Sequence, residues 1–358
     1  MIRYLPAMSL RVIQWSTGHV GIEALRALIR HPDLDLVGLW VHSADKAGRD
    51  AGDLCGLPTT GVIATNDIDA LLAVGADCVC YTATADLRPW EAVDDIARIL
   101  ASGANVVSSS LVQLLHPKTA DPGMIERLDA ACQQGGTSCF FSGIDPGFAN
   151  DLLPIALMSA CERVDSVRIL EILNYDTYDQ AEVLFGTMGF AQPLDHTPLL
   201  LFPGALSYAW GGVIGQMAES LGIEVDEIRE THEKASLDHD VHLAVGDVPA
   251  GTMAGLRFEV QGMVGGRAAI VVEHVTRLDD SVAPEWPQGA GYRIEIKGNP
   301  SFTCDLEMLG EDGDHNTGGV LATAMRIINA IPHVCAAAPG MLSSLDLPLY
   351  GAKGLMPS

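Results

Sequence analysis

The chain has 358 residues, which is long enough for two domains. Hydrophobic residues make up 48% of the chain and charged residues 19%, a composition that excludes a disordered protein. The net charge of −25 disfavours nucleic acid and anionic membrane surfaces as partners. Eight cysteines without a C-x-x-C pair indicate reduced, packed thiols. We find no signal segment and no apolar run of the roughly 18 residues that a membrane span needs, so the sequence predicts a cytoplasmic protein.

Short β-rich runs alternate with amphipathic, helix-length segments from Leu10 onward. Strands are predicted over 10–15, 34–42, 77–83, 105–108 and 138–144, and helices over 19–29, 67–74, 89–100 and 121–134. This alternation predicts a parallel sheet with crossover helices. The fold class is therefore α/β, with a Rossmann-type doubly wound domain over 1–150.

The pattern changes after about residue 160. Strands are predicted over 164–174, 227–237, 292–297 and 302–308, a helix over 205–221, and a hairpin around Gly265-Gly266. These elements predict an α+β domain over 151–317 with a mainly antiparallel sheet. A helix from Gly318 and the apolar tail to residue 358 are expected to pack back on the first domain.

A glycine-containing turn lies between the first strand and the first helix. It reads Ser16-Thr17-Gly18-His19-Val20-Gly21, which matches the dinucleotide pattern G-x-G-x-x-G except that Ser replaces the first Gly. Gly18 allows the backbone to approach a pyrophosphate, Gly21 allows close helix packing, and the helix N-terminus favours negative charge. We therefore predict that this turn binds a dinucleotide cofactor.

The end of the second strand bears on the choice of cofactor. An acidic residue there would bind the ribose of NAD, but the sequence offers His42, Ser43 and Lys46, with Asp45 slightly late and Arg49 further on. Basic and hydroxyl side chains suit a 2′-phosphate, which favours NADP, with NAD as the alternative.

Polar residues follow other predicted strands of the first domain. Thr82, Ala83, Thr84 and Ser108 are expected beside the cofactor, and Ser110 beside the substrate. Asp145, in Gly-Ile-Asp-Pro-Gly-Phe148, is the carboxylate expected nearest to the cleft, although such a residue more often caps a helix, here one from Pro146.

Four segments resemble a known family: the run Val12 to Gly21, the segment Gly48-Arg-Asp-Ala-Gly52, the motif 143–148, and Met325-Arg-Ile-Ile-Asn-Ala-Ile-Pro332. They are similar to the dihydrodipicolinate reductase-like branch that includes 2,4-diaminopentanoate dehydrogenase and native amine dehydrogenases. The resemblance covers nearly the whole chain. It implies NAD(P)H-dependent interconversion of a carbonyl or imine with an amine in an interdomain cleft, and a homodimer formed through the second domain's sheet.

One departure from the family concerns the base. Amine dehydrogenases of this group carry a glutamate just after the strand equivalent to Val106-Val107, whereas Ser108 to His116 contains no carboxylate. A base is needed because only the neutral nitrogen attacks a carbonyl. The chain is thus expected to reduce a carbonyl or a preformed imine, with Ser110, Asp145, Tyr175 or His196 assisting protonation, or to use another carboxylate such as Asp145 or Asp176.

The resemblance also places a loop of the second domain against the nicotinamide. Its substrate wall would comprise Asn174, Tyr178, Met188 and His196, with Phe148 from the domain junction. Aromatic walls imply a small, mainly apolar carbonyl or amine substrate. An ordinary strand end followed by a packed helix is the alternative interpretation.

Two further signals are set aside. The segment Asp238 to His242 has no placed third ligand for zinc, so no metal site is predicted. His274 is interpreted as a histidine on a sheet face. The main functional hypothesis is an NAD(P)H-dependent oxidoreductase, and the alternative is a cofactor-bound, non-catalytic sensor or dimeric binding protein of the same fold.

Overall fold

The computed structural model describes residues 9–356 and contains two compact units. One unit ends its first part at Asp145 and resumes at Val320; the other comprises Pro146–Gly319. The strands are β1 Leu10–Trp15, β2 Leu34–Trp40, β3 Ala64–Thr65, β4 Cys78–Tyr81, β5 Asn105–Ser108, β6 Ser138–Phe141, β7 Arg163–Asn174, β8 Glu227–Ser236, β9 Val241–Leu243, β10 Gly246–Val248, β11 Met253–Val264, β12 Arg267–Arg277, β13 Gly291–Asn299, β14 Phe302–Leu306 and β15 Gly340–Leu342. The helices are α1 His19–Arg30, α2 Ala51–Cys55, α3 Ile68–Leu72, α4 Pro89–Ala101, α5 Pro122–Gly135, α6 Leu152–Met158, α7 Ala205–Leu221, α8 His315–Ile328 and α9 Ile331–Ala336.

The first unit is built on a seven-stranded parallel sheet in the order β15-β6-β5-β4-β1-β2-β3. Alternate residues of its strands enter two separate cores: Ile13 and Val79 pack with α4 and α5, whereas Val12 and Cys78 pack with α1, α8 and α9. Cys80 lies in the same core as Cys78, as period-2 alternation predicts. The predicted doubly wound fold is confirmed.

The C-terminal residues complete this unit. β15 pairs in parallel with β6, and Ala324, Ile327, Ile331 and Val334 are fully buried in the core that α1 also lines. The stretch His315–Ala336 is long and apolar enough, by length and composition, to cross a membrane, which the sequence analysis did not find. Its apolar side chains from residue 324 onward are accounted for by packing against the sheet.

The buried side chain of Arg326 contacts residues of the C-terminal segment. The Arg326 guanidinium is 7% exposed, donates hydrogen bonds to Ser142 and to Ser344, and lies over the rings of Phe140 and Tyr350. Hydroxyl acceptors and ring faces therefore compensate the buried charge.

Asp50 organises the short helix α2, which the sequence analysis missed. Its carboxylate accepts hydrogen bonds from the backbone N–H groups of Gly52 at 2.7 Å, Thr60 at 3.0 Å and Gly61 at 2.7 Å. The hydrogen bonds from Thr60 and the two glycines outweigh burial and lower the pKa of Asp50.

The second unit contains a mixed six-stranded sheet in the order β14-β13-β7-β12-β11-β8, in which only the β7–β12 pair is parallel. The predicted hairpin is confirmed: Gly265 and Gly266 turn between β11 and β12 with φ of +57° and +76°. Helix α7 lies on the sheet, where Trp210 contacts Phe258 of β11 and His274 of β12. The predicted α+β architecture is confirmed.

The structure corrects the helix expected from Pro146. Residues 145, 146 and 148–151 lie in turns, and the helix begins only at Leu152 with Asp151 as its N-cap. The carboxylate of Asp151 also accepts a hydrogen bond from Gln216 of α7 at 3.0 Å. Asp151, and not Asp145, is therefore the residue that caps this helix.

Candidate functional site

The turn after β1 has the backbone of a dinucleotide-binding loop. Ser16 adopts φ of +84°, in the left-handed region where the first glycine of the pattern is normally required. Its N–H donates to the carbonyl of Trp40 at 2.9 Å, which ties the turn to the end of β2. Serine therefore occupies the position of the first glycine and keeps the left-handed backbone conformation that glycine would adopt there.

Two side chains that flank the turn hold it in this conformation. The buried Gln14 amide donates to the carbonyl of Ser16 and to the hydroxyl of Thr82, both at 2.9 Å. The Thr82 hydroxyl donates in turn to the carbonyl of Trp15 at 3.0 Å. Thr82 was predicted to contact the cofactor, and here it supports the turn; Gln14 was missed, because a lone glutamine in an apolar strand carries no motif.

The two glycines of the turn face different surroundings. An added Cβ at Gly18 would meet no atom within 4 Å, whereas at Gly21 it would lie 2.6 Å from the carbonyl oxygen of Ser16. Among the residues that the structure describes, no side chain caps the first turn of α1, which begins at His19 and Val20. The backbone N–H groups of an uncapped helix next to an open glycine can bind a phosphate.

Basic and hydroxyl groups lie beside this turn. The Lys46 ammonium donates to the hydroxyl of Thr17 at 3.0 Å and lies 3.4 Å from its carbonyl oxygen. Ser43 is half-buried, while His42, Asp45 and Arg49 are exposed. A cation within reach of the glycine turn can neutralise a phosphate on the ribose of a bound dinucleotide.

The strand ends predicted to lie near the cofactor are connected to one another. The Ser110 hydroxyl donates to the carbonyl of Ala83 at 2.6 Å, and the Ser110 N–H donates to the Ser108 hydroxyl at 3.1 Å. Ser108 is fully buried and Thr84 is exposed. Ser110 therefore braces the loops after β4 and β5. Asp145, the other tentative catalytic residue of this unit, is half-buried in a turn.

The second unit holds a hydrogen-bonded cluster that sequence reasoning did not assemble. Tyr292, Glu171, His274 and Phe258 stand directly opposite one another on β13, β7, β12 and β11. Glu171 Oε1 lies 3.3 Å from His274 Nδ1 and accepts from the Tyr175 hydroxyl at 3.1 Å, and its Oε2 accepts from the Tyr292 hydroxyl at 2.7 Å. The signals were present, since a carboxylate in the apolar run Ile169 to Ile172 needs a partner.

Aromatic rings enclose the histidine of this cluster. The His274 ring stacks on Phe258 at 4.6 Å and meets the edge of Trp210 at 4.7 Å. Burial alone would raise the pKa of Glu171, but the charge of His274 and hydrogen bonds from His274, Tyr292 and Tyr175 outweigh it and lower the pKa. His274 does lie on a sheet face, as predicted, and it pairs there with a buried carboxylate.

The residues of the predicted substrate wall differ in their contacts and exposure. The Tyr178 ring stacks on Tyr175 at 4.7 Å, and its hydroxyl accepts from Gln180. The Asn174 amide donates to Asp280 at 2.8 Å. Met188 is buried, Phe148 is half-buried and His196 is exposed.

A doubly wound parallel sheet whose first turn can accept a pyrophosphate defines a dinucleotide-binding protein. Residues 148–356 match the model of the 2,4-diaminopentanoate dehydrogenase C-terminal domain. The chain is 42% identical to an amine dehydrogenase of Streptomyces virginiae over 96% of its own length and 97% of that protein. It is 24% identical to the 2,4-diaminopentanoate dehydrogenase of Acetoanaerobium sticklandii over 95% of this chain and 93% of that one.

A solved structure extends the similarity to the fold. The amine dehydrogenase from Mycobacterium smegmatis superposes with a TM-score of 0.75 at 21% identity, covering 97% of this chain and 98% of that one. The chain therefore belongs to the 2,4-diaminopentanoate dehydrogenase family, in the dihydrodipicolinate reductase-like branch that the sequence motifs predicted. It is an oxidoreductase, and the non-catalytic alternative is set aside.

Proposed function

We propose that the protein is an NADP(H)-dependent dehydrogenase that interconverts a small, largely apolar amine with its carbonyl or imine. The observation that carries this proposal is the 42% identity, over nearly the full length of both chains, to an amine dehydrogenase. The open glycine turn and its neighbouring cation support the cofactor assignment.

The proposed cofactor site consists of the turn 16–21, the residues His42, Ser43 and Lys46, and the strand ends 82–84 and 108. When bound, the nicotinamide supplies or accepts the hydride that changes the oxidation state of the substrate carbon. The backbone N–H groups at the start of α1 would hold the pyrophosphate, and Lys46 would bind the 2′-phosphate, because no acidic side chain ends β2. These contacts favour NADP over NAD.

The proposed substrate wall supports an apolar substrate. Tyr178, Met188 and Phe148 offer ring and thioether surface, while Asn174 and His196 offer polar groups that can orient the substrate. The segment Ser108–His116 lacks the family's carboxylate, so the nitrogen must lose its proton to another group. Asp145 and Ser110 remain proposed catalytic residues.

Oxidation of NADPH and of NADH against a panel of small ketones and aldehydes, with and without ammonium at alkaline pH, tests the proposal. Turnover that requires ammonium supports amine formation. Turnover without ammonium would restrict the enzyme to carbonyl reduction and would overturn the amine assignment. Tight NADPH binding without turnover on any carbonyl or amine would contradict the proposal as a whole.

We further propose a cytoplasmic homodimer. One face of the second unit's sheet carries charged residues: Arg168 pairs with Glu259 at 2.7 Å, and Arg257 pairs with Glu273 at 2.9 Å. The Glu273 side chain is 1% exposed, whereas the side chains of Arg168 and Arg257 are 33% and 26% exposed. A face that carries charges of both signs can pair with the same face of a second copy in an isologous contact. Sedimentation equilibrium should give twice the 37.9 kDa of the chain, and a mass of 37.9 kDa would contradict the dimer.

A further inference from the structure

The cluster around Glu171 differs from an ordinary buried ion pair in how its contacts divide between the two carboxylate oxygens. Oε1 lies 3.3 Å from His274 Nδ1 and 3.1 Å from the Tyr175 hydroxyl oxygen, so one oxygen contacts both groups. Oε2 accepts from the Tyr292 hydroxyl at 2.7 Å. A proton that moves from His274 to Oε1 is therefore already next to Tyr175, whereas Tyr292 lies outside this path.

Exposure within the cluster is uneven. Glu171 and His274 are each 5% exposed and Tyr292 is 3% exposed, whereas Tyr175 is half-buried and its ring stacks on Tyr178. Of these four side chains, Tyr175 is the most exposed. It follows β7 directly, at the carboxyl end of the strand.

The cluster also has the charge that proton transfer requires. A protonated His274 stabilises the Glu171 carboxylate and contributes to the lowered pKa of Glu171, and the rings of Phe258 and Trp210 pack against His274. Packing alone gives little reason for such a pair, because a buried ion pair seldom contributes more stability than apolar side chains of similar volume. Holding a proton away from solvent is a function that apolar side chains could not perform.

We infer that Tyr175 is a catalytic acid–base group of the dehydrogenase, and that Glu171 and His274 are positioning residues that supply and remove its proton. In reduction, Tyr175 gives its hydroxyl proton to the carbonyl oxygen or imine nitrogen. The protonated His274 gives its proton to Oε1 of Glu171, and Glu171 passes it to the Tyr175 oxygen, so that His274 ends neutral and Glu171 ends ionised, as it began. In oxidation of an ammonium substrate the proton follows the reverse path. This inference rests on the proposed function, and it gives a base to a chain that lacks a carboxylate in Ser108–His116.

The test compares two substitutions, each of which removes one of the two tyrosine hydroxyls that donate to Glu171. Tyr175→Phe should lower kcat roughly 100-fold or more, the lower range for loss of a general acid–base group. Tyr292→Phe should lower kcat less than about tenfold, because its hydroxyl contacts Oε2 and is buried. The dissociation constant of NADPH, measured by fluorescence titration, should stay within about twofold of wild type in both variants.

A second readout separates proton transfer from structural support. The residual rate of Tyr175→Phe should rise with the concentration of imidazole buffer, because a small acid can replace the missing donor, whereas the wild-type rate should not. Glu171→Gln should lower kcat more than Tyr292→Phe does, with little change in KM, since it breaks the path from His274 while keeping the shape of the side chain.

The outcomes separate this inference from the proposed function. Wild-type turnover, a large kcat defect in Tyr175→Phe and rescue by imidazole support the inference. Wild-type turnover with equal effects in Tyr175→Phe and Tyr292→Phe, or a Tyr175→Phe rate that imidazole does not change, would overturn the inference and leave the proposed function standing. Absence of wild-type turnover with every carbonyl and amine would overturn both.

Discussion

Ser16 shows that a residue can depart from a motif and keep the conformation that the motif encodes. A left-handed backbone costs a residue with a Cβ about 1 kcal/mol or more relative to glycine. Hydrogen bonds from Gln14 to the Ser16 carbonyl and from Ser16 to the Trp40 carbonyl offset this cost. The first glycine of a dinucleotide pattern is therefore dispensable where neighbouring side chains hold the turn.

Gly18 and Gly21 should respond differently to the same added methyl group. Gly18→Ala should leave the free energy of unfolding within about 0.5 kcal/mol of wild type but weaken NADPH binding at least about tenfold, because the methyl group fills open space where the pyrophosphate would lie. Gly21→Ala should destabilise the protein by about 1–3 kcal/mol, because its Cβ would lie 2.6 Å from a backbone oxygen. Urea denaturation and fluorescence titration measure the two effects, and unchanged NADPH affinity in Gly18→Ala would remove the phosphate site from this turn.

Lys46 should determine the choice between the two nicotinamide cofactors. Lys46→Met should raise the KM for NADPH about tenfold, the effect of losing one charge-assisted contact of about 1.4 kcal/mol, and leave the KM for NADH unchanged. Lys297→Met, which removes an exposed lysine from β13, serves as the control for net charge. Equal changes for both cofactors would show that Lys46 does not recognise the 2′-phosphate.

Positions in the fold were predicted best where a motif sets the order of strand, turn and helix along the chain. The turn 16–21 needed no tertiary information, because strand, glycine and helix follow one another directly. The cluster of Glu171, His274 and Tyr292 joins strands far apart in sequence, and pairing registers cannot be read from one sequence without its structure. The sequence offers Tyr175 as a candidate catalytic residue, but it does not reveal the partners of that side chain.

Among the elements, Asp50 connects stability to pH. The folded protein lowers the pKa of this carboxyl below its ordinary value of 3.8, so the folded state holds its proton less tightly than the unfolded chain does. The stabilisation is present above about pH 4 and is lost as the pH falls through the folded pKa. Asp50→Asn should therefore be less stable than wild type at pH 7, and its unfolding free energy should depend less on pH below 4.

Urea denaturation of wild type and Asp50→Asn between pH 3 and 7 checks this prediction. Asp53→Asn is the matched control, because Asp53 lies in the same helix but is exposed. A constant difference between wild type and Asp50→Asn across this range would contradict a role for the ionised carboxylate.

Arg326 connects α8 to the segment that follows β15. Arg326→Met keeps much of the side-chain volume but removes the hydrogen bonds to Ser142 and Ser344, so we expect a loss of about 2–3 kcal/mol in unfolding free energy. Arg30→Met, at the exposed end of α1, should change stability by less than about 1 kcal/mol. Equal effects of the two substitutions would show that the buried contacts contribute little.

Long, strongly patterned elements were predicted closely. Helix α7 has the predicted bounds, and β1 and β5 agree residue for residue. The strands β3 and β15, of two and three residues, were missed, because so short a run shows no alternation. The helix expected at Pro146 begins instead at Leu152, since Asp151 supplies the cap and the residues before it, from 148 on, remain in turns.

For the whole molecule, a chain that ends at Gly319 should lose the first unit and keep the second. It would lack β15, α9 and the buried residues Ala324, Ile327 and Ile331. The core that also contains the buried residues of α1 would therefore lose the side chains that cover one side of it. We expect such a chain to lose NADPH binding and, under limited proteolysis, to leave a resistant fragment close to 146–319. A chain that ends at Gly351 should behave as wild type, and NADPH binding by the chain that ends at Gly319 would contradict the prediction.

The pairing of β15 with β6 also has a consequence for synthesis on the ribosome. At roughly 5–20 residues per second, about 10–40 s separate the translation of Phe141 from that of Gly340. During this interval the second unit can complete its sheet, while the N-terminal sheet keeps an unpaired edge at β6. The part of the protein that is made first is thus finished last, and nascent chains in this interval are the ones that chaperones should bind.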